Sequence, residues 1–180
     1  MADAAKRRAT YDDVLAAPAH VVAEVIYGAL YTHPRPAIRH ARASTRLGGK
    51  LVPFDDDDGK PGGWIILDEP ELHLGNEPDI LVPDLAGWRR TRMPEMPDTA
   101  FVTLAPDWIC EVVSPSTEAI DRSDKMDIYA REGIAHAWLV DPITKLLEVY
   151  RLAEKQWLRV GTWRDDARMR AEPFDAIEIE

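Results

Sequence analysis

The chain has 180 residues, 46% of them hydrophobic and 30% charged, with 32 acidic against 22 basic side chains and a formal net charge of -10. This composition excludes a disordered chain, and the summed negative field disfavours a non-specific binder of polyanions. A single cysteine, Cys110, excludes an internal disulfide and argues against a cysteine-based zinc site, so a reducing cytoplasm is the expected compartment.

The length suits one domain over residues 1–180, and neither an export signal nor an apolar run of membrane-spanning length is visible. Thr10 with Asp13 three residues later predicts a capping box that opens a short helix to about Ala17. HVVAEVIYGALY, residues 20–31, predicts a hairpin turning at Tyr27-Gly28, which Pro34 and Pro36 terminate. AIRHARASTRLGGKL, residues 37–51, predicts a helix with Ala37, Ile38, Ala41, Thr45 and Leu51 inward, closed by Gly48-Gly49. Arg35, Arg39, Arg42 and Arg46 then form a solvated face, or alternatively a local basic patch for DNA. Asp55–Gly59 resembles the start of a calcium loop, but Ile65 stands where the loop needs glutamate, so a solvated turn is expected.

Three strands follow: WIILDEPELHL (64–74), DILVPDLAGW (79–88) and DWICEVV (107–113). A helix from about Thr117 to Glu132 begins at a Ser116 or Thr117 cap and stops at Gly133. HAWLVDP predicts a strand buried on both faces, and LLEVYRL with QWLRVGTW a hairpin that extends the sheet. The order implies an α/β or α+β fold, a central sheet with helices on its faces.

Glu111 lies inside Trp-Ile-Cys-Glu-Val-Val, where a lone buried carboxylate would cost several kcal/mol. Strand alternation puts it on one face with Ile109 and Val113, away from Cys110. Asp84 is a second carboxylate in an apolar run on the preceding strand. Two converging carboxylates repel each other unless a divalent cation lies between them, and oxygen-only ligation suits Mg²⁺ or Mn²⁺. Asp121, Lys125 and Tyr129 fall at four-residue spacing on one helical face, from which Lys125 could stabilise charge at the metal site. The alternative is an interior Glu111–Lys125 salt bridge without catalysis.

The run PDLAGWR, EVVSPST, DRSDK, Tyr129, EG and HAWLVDP resembles the Uma family of bacterial restriction endonucleases, with a PD-(D/E)XK nuclease-like core, over most of the chain. The resemblance implies a mixed sheet flanked by helices with added hairpins, Asp84 and Glu111 as metal ligands, and Mg²⁺- or Mn²⁺-dependent cleavage of DNA. In the common nuclease pattern a lysine stands two residues after the glutamate; here that position is Val113, and Lys125 in DRSDK matches the family's helical lysine. Glu24 matches a glutamate found near that site, with a structural salt bridge as the alternative.

His20, His33, His40, His73 and His136 show no ligand-like spacing and read as surface or core residues, although Glu69, Glu71 and His73 would share one face of a regular strand, which makes Glu71 and His73 minor site candidates. Helix capping accounts for Ser114, Ser116 and Thr117, which lack a hydrolase elbow. A homodimer is expected, because restriction-type cleavage of two strands uses two subunits and the terminal hairpins leave edges to cover. The competing function class is an inactive nuclease fold that works by dimerisation or partner binding, for which one or two of six tryptophans would supply apolar contact.

Overall fold

The computed structural model describes residues 7–55 and 60–180. The turn expected at Asp55–Gly59 therefore lies, beyond Asp55, outside the described residues. Helix α1 (Tyr11–Leu15) opens as anticipated, with the Asp13 carboxylate accepting the Thr10 backbone N–H at 2.8 Å. Strands β1 (Val21–Ile26) and β2 (Ala29–Pro34) pair antiparallel across Tyr27 and Gly28, whose φ values of 51° and 77° suit a tight hairpin turn.

Helix α2 (Ile38–Asp55) departs from expectation at its end and in its facing. It runs through Gly48-Gly49 to bury Leu51 and Phe54 completely. Two helical glycines cost about 1 kcal/mol each, while burying a leucine and a phenylalanine gains about 1.5–3 kcal/mol apiece, so packing carries the helix onward. Its inward stripe is His40, Ser44, Leu47, Leu51 and Phe54; Ala37, Ala41 and Thr45 are exposed, and Ile38 is 89% exposed. A stripe that includes His and Ser is invisible to a search for apolar periodicity.

Two of the anticipated strands each divide in two. WIILDEPELHL becomes β3 (Trp64–Asp68) and β4 (Leu72–Leu74), and DILVPDLAGW becomes β5 (Asp79–Leu81) and β6 (Leu85–Arg89). Pro70 and Pro83 stand at the breaks, where a residue without an N–H cannot continue a ladder. The halves enter different sheets. The smaller has the order β2-β1-β5-β4.

The larger sheet adds β7 (Trp108–Val112), β8 (His136–Asp141), β9 (Leu146–Ala153) and β10 (Gln156–Arg164), in the order β10-β9-β8-β7-β6-β3. Its pairs are antiparallel except β7 with β8, which are parallel and joined by a helical crossover. That crossover comprises α3 (Glu118–Ile120), a π-helical turn over Asp121–Lys125, and α4 (Met126–Arg131), closed by Gly133 at φ 75°. The result is a mixed α+β architecture of the expected class.

The two faces of the larger sheet build two cores. Trp108 and Cys110 point to a cluster with Leu51, Phe54, Trp64, Trp138 and Phe174; Ile109 and Val113 point to the other, with Ile128 and Tyr129. Glu111 belongs to this second face, where the two sheets and the crossover meet. Among the described residues no helix is long and apolar enough to cross a membrane.

Candidate active site

The compensation for Glu111, only 2% exposed, comes from the crossover. Lys125 Nζ lies 2.9 Å from its Oε1, and the Tyr129 hydroxyl donates to the same oxygen at 2.6 Å. The π turn brings this about: i→i+5 bonding widens the helix, so Asp121 and Lys125 both turn inward and both are buried. The indole N–H of Trp157 donates to the Met126 carbonyl at 2.9 Å, satisfying a backbone acceptor beside the turn.

Lys125 joins the two sheets. Besides Glu111 it lies 3.1 Å from Glu24 Oε1 and 3.4 Å from Asp121 Oδ1. Glu24, on β1, also accepts the Val82 N–H at 2.8 Å and has His33 Nε2 3.2 Å from its other oxygen. Asp84 stands at the break between β5 and β6. Its Oδ2 accepts the Val112 N–H at 2.7 Å, and its Oδ1 lies 3.3 Å from His40 Nε2.

Three carboxylates, those of Glu111, Glu24 and Asp121, thus surround one ammonium, and Asp84 lines the same cavity. Burial drives Glu111 well above the usual carboxylate range, and the charges of Asp121, Asp84 and Glu24 push it the same way against the pull of Lys125. Burial opposes the charge on Lys125, but Glu111 and Glu24 prevail and hold it protonated. Burial also raises Asp121. Burial would raise Glu24 too, yet Lys125, His33 and the Val82 amide bring it down to about 2. Without a further cation, the excess negative charge of the cluster favours the protonated form of Glu111.

A cavity of about 320 Å³ opens onto this cluster, and Asp84, Glu111, Asp121 and Lys125 all line it. All four anticipated residues therefore converge, with Glu24 just behind Lys125 rather than on the cavity wall. Three further contributors were not singled out as site residues by sequence reasoning: His33, His40 and Glu69 line the cavity, while Asp121, expected on the helical face of Lys125, adds a buried charge. The break at Pro70 sends Glu69 into the cavity with φ 44° and leaves Glu71 and His73 elsewhere, paired at 2.8 Å with His73 stacked on Phe101. Strand parity, which put the three on one face, fails at that break. The scattered spacing of His33 and His40 likewise hid their convergence, since β2 and α2 meet at the cavity only in three dimensions.

Ser114 bonds Ser116 and Thr117 through their hydroxyls, at 2.9 and 3.0 Å, rather than capping the helix, and the Asp121 N–H donates to the Thr117 carbonyl at 2.9 Å. Arg35 lines the cavity with its guanidinium 3.6 Å from Glu69, while Arg39, Arg42 and Arg46 are exposed on α2. Cys110 is buried in the opposite core.

Among the described residues no three His, Cys, Asp or Glu side chains form a ready-made metal cluster. Mg²⁺ does not need one, because it commonly uses one or two carboxylates, several waters and substrate phosphate oxygens. Asp84 and Glu111 supply such a pair of hard oxygen donors on one cavity, and the negative charge that raises Glu111 is what a divalent cation would offset.

The sequence matches the family described as "Uma2: Putative restriction endonuclease" over residues 9–179. Among solved structures it is similar to one described as a "putative nuclease belonging to DUF820" from Anabaena variabilis ATCC 29413. The identity is 20% and the TM-score 0.73, with 93% of this chain and 92% of that chain covered, a likeness of fold. No curated protein matches.

Proposed function

The chain belongs to the Uma2 family, and from that membership we propose that it is a nuclease that hydrolyses phosphodiester bonds in DNA with Mg²⁺ or Mn²⁺. The observation that carries the reading is one cavity lined by Asp84, Glu111 and Lys125, with Asp84 at the break before β6, Glu111 on β7 and the lysine on the crossover. Asp84 and Glu111 would hold the cation, which when bound polarises the phosphate and acidifies a water. Lys125, held charged by the surrounding carboxylates, stabilises negative charge developing on the phosphate. Tyr129 keeps the Glu111 carboxyl oriented. Glu24 fixes Lys125 from behind and reaches a metal only through water.

Two subunits would cut two strands. β10 is an outer strand of the larger sheet and exposes Leu158 at 48% and Val160 at 39%, an edge suited to a second copy. The protein is read as cytoplasmic and as one domain over its whole length.

A second reading has its own observation: the 2.9 Å Lys125–Glu111 pair already compensates the buried acid, as a purely structural salt bridge would in an inactive interaction protein. Cleavage separates the two. Supercoiled and single-stranded DNA are incubated at low salt with Mg²⁺, Mn²⁺ or chelator, beside the Glu111→Gln variant. The nuclease reading expects metal-dependent cleavage that the variant lacks. Equal cleavage by both proteins, or none on any substrate, contradicts it.

A further inference from the structure

Resting on the nuclease reading, we propose that His40 is a positioning residue, which holds the Asp84 carboxylate in the orientation that a divalent cation requires. Asp84 follows Pro83 at the break between β5 and β6, so the sheet ladder alone does not set the direction of its side chain. Two contacts do so instead, the Val112 N–H on Oδ2 at 2.7 Å and His40 Nε2 at 3.3 Å from Oδ1. Each carboxylate oxygen accepts more than one hydrogen bond or ligand, so both contacts leave lone pairs for a cation.

The imidazole is itself held in place. His40 is carried by α2, which Leu51 and Phe54 anchor in the core. Asp84 is thus held from two sides, by α2 through His40 and by the strand that bears Glu111 through the Val112 N–H. Moreover, His40 Nδ1 is buried and has no hydrogen-bond partner. A buried unpaired nitrogen costs about 1–3 kcal/mol. An apolar residue on the α2 stripe would avoid that cost but could not engage Asp84, so the contact through Nε2 is what favours histidine here. Glu24 has an analogous partner in His33, but it does not line the cavity, so the same argument does not extend to that pair.

Partners of ligating carboxylates typically change metal affinity by about 10–100-fold when removed. The test compares His40→Asn, whose amide stops short of Asp84, with His40→Gln, whose amide reaches the position of Nε2. Mn²⁺ affinity is measured by calorimetry with thermal unfolding alongside, and Thr45→Ala, exposed on the same helix, serves as control. The expected result is Mn²⁺ binding weakened by about 10–100-fold in His40→Asn, largely regained in His40→Gln and unchanged in Thr45→Ala, with similar melting temperatures throughout. At saturating Mn²⁺ the kcat of His40→Asn should recover toward that of the unmodified protein. Equal Mn²⁺ affinity in His40→Asn and the unmodified protein overturns the role of His40 alone, as does a loss equally large in His40→Gln. Absence of Mn²⁺ binding by the unmodified protein overturns the nuclease reading together with it.

Discussion

Glu111 and Glu24 lie within reach of the same ammonium, yet their proton affinities move in opposite directions, which gives them opposite effects on stability. Glu111 is raised above its ordinary 4.5, so the folded state keeps a proton that the unfolded chain gives up, and stability is lost as pH rises above that value. Metal-free Glu111→Gln should therefore gain on the unmodified protein as pH is raised from 5 to 8, measured as the difference in melting temperature in chelator. A constant difference would contradict the shift. Glu24 falls from 4.5 to about 2, so its contribution, roughly 3 kcal/mol, is present above pH 4.5 and lost as pH falls toward 2. Glu24→Gln should cost about that much at pH 7, with the penalty shrinking in acid. Lys125→Met strands several buried acids at once and should cost about 3–5 kcal/mol in chelator, with Mg²⁺ restoring part of it by supplying positive charge. The acids at 84 and 111 were legible because each interrupts an apolar run, and the lysine at 125 because it falls at helical spacing from Asp121 and Tyr129 and matches the family's helical lysine. His40 and His33 were not, because nothing local distinguishes a histidine that meets an acid from another element.

At the scale of elements, packing overrides local propensity most visibly in α2. Gly49 lies in the helix interior, and a Cβ added there meets nothing within 4 Å. Gly49→Ala should then stabilise the protein by about 1 kcal/mol, a rise of about 2–4 °C in melting temperature. A fall would mean that the glycine is needed for more than helix continuity. The hairpins, the crossover and its Gly133 terminus were readable from turn and cap residues. The division of two strands between two sheets was not, although Pro70 and Pro83 marked the positions, since a proline reports a break in a ladder but not where the chain goes next. The π turn was equally hidden: the four-residue spacing of Asp121 and Lys125 fits an α-helix as well.

For the whole molecule, the arrangement of two sheets around one charged cluster sets how it meets partners. On the nuclease reading, the net charge of -10 should leave metal-free DNA binding weak and strongly salt-dependent, as a salt titration of binding in chelator would show. If the β10 edge joins two copies, light scattering should report a dimer that Leu158→Lys dissociates; a monomer at high concentration would remove that proposal. The central claim is that Asp84 and Glu111 together hold one divalent cation. Calorimetric titration of Mg²⁺ or Mn²⁺ into the unmodified protein and an Asp84→Asn, Glu111→Gln double variant, in two buffers of different ionisation enthalpy, tests it most directly. The account predicts one site in the unmodified protein, proton release on binding, and no binding by the variant, whereas equal binding by both or none by either would contradict it.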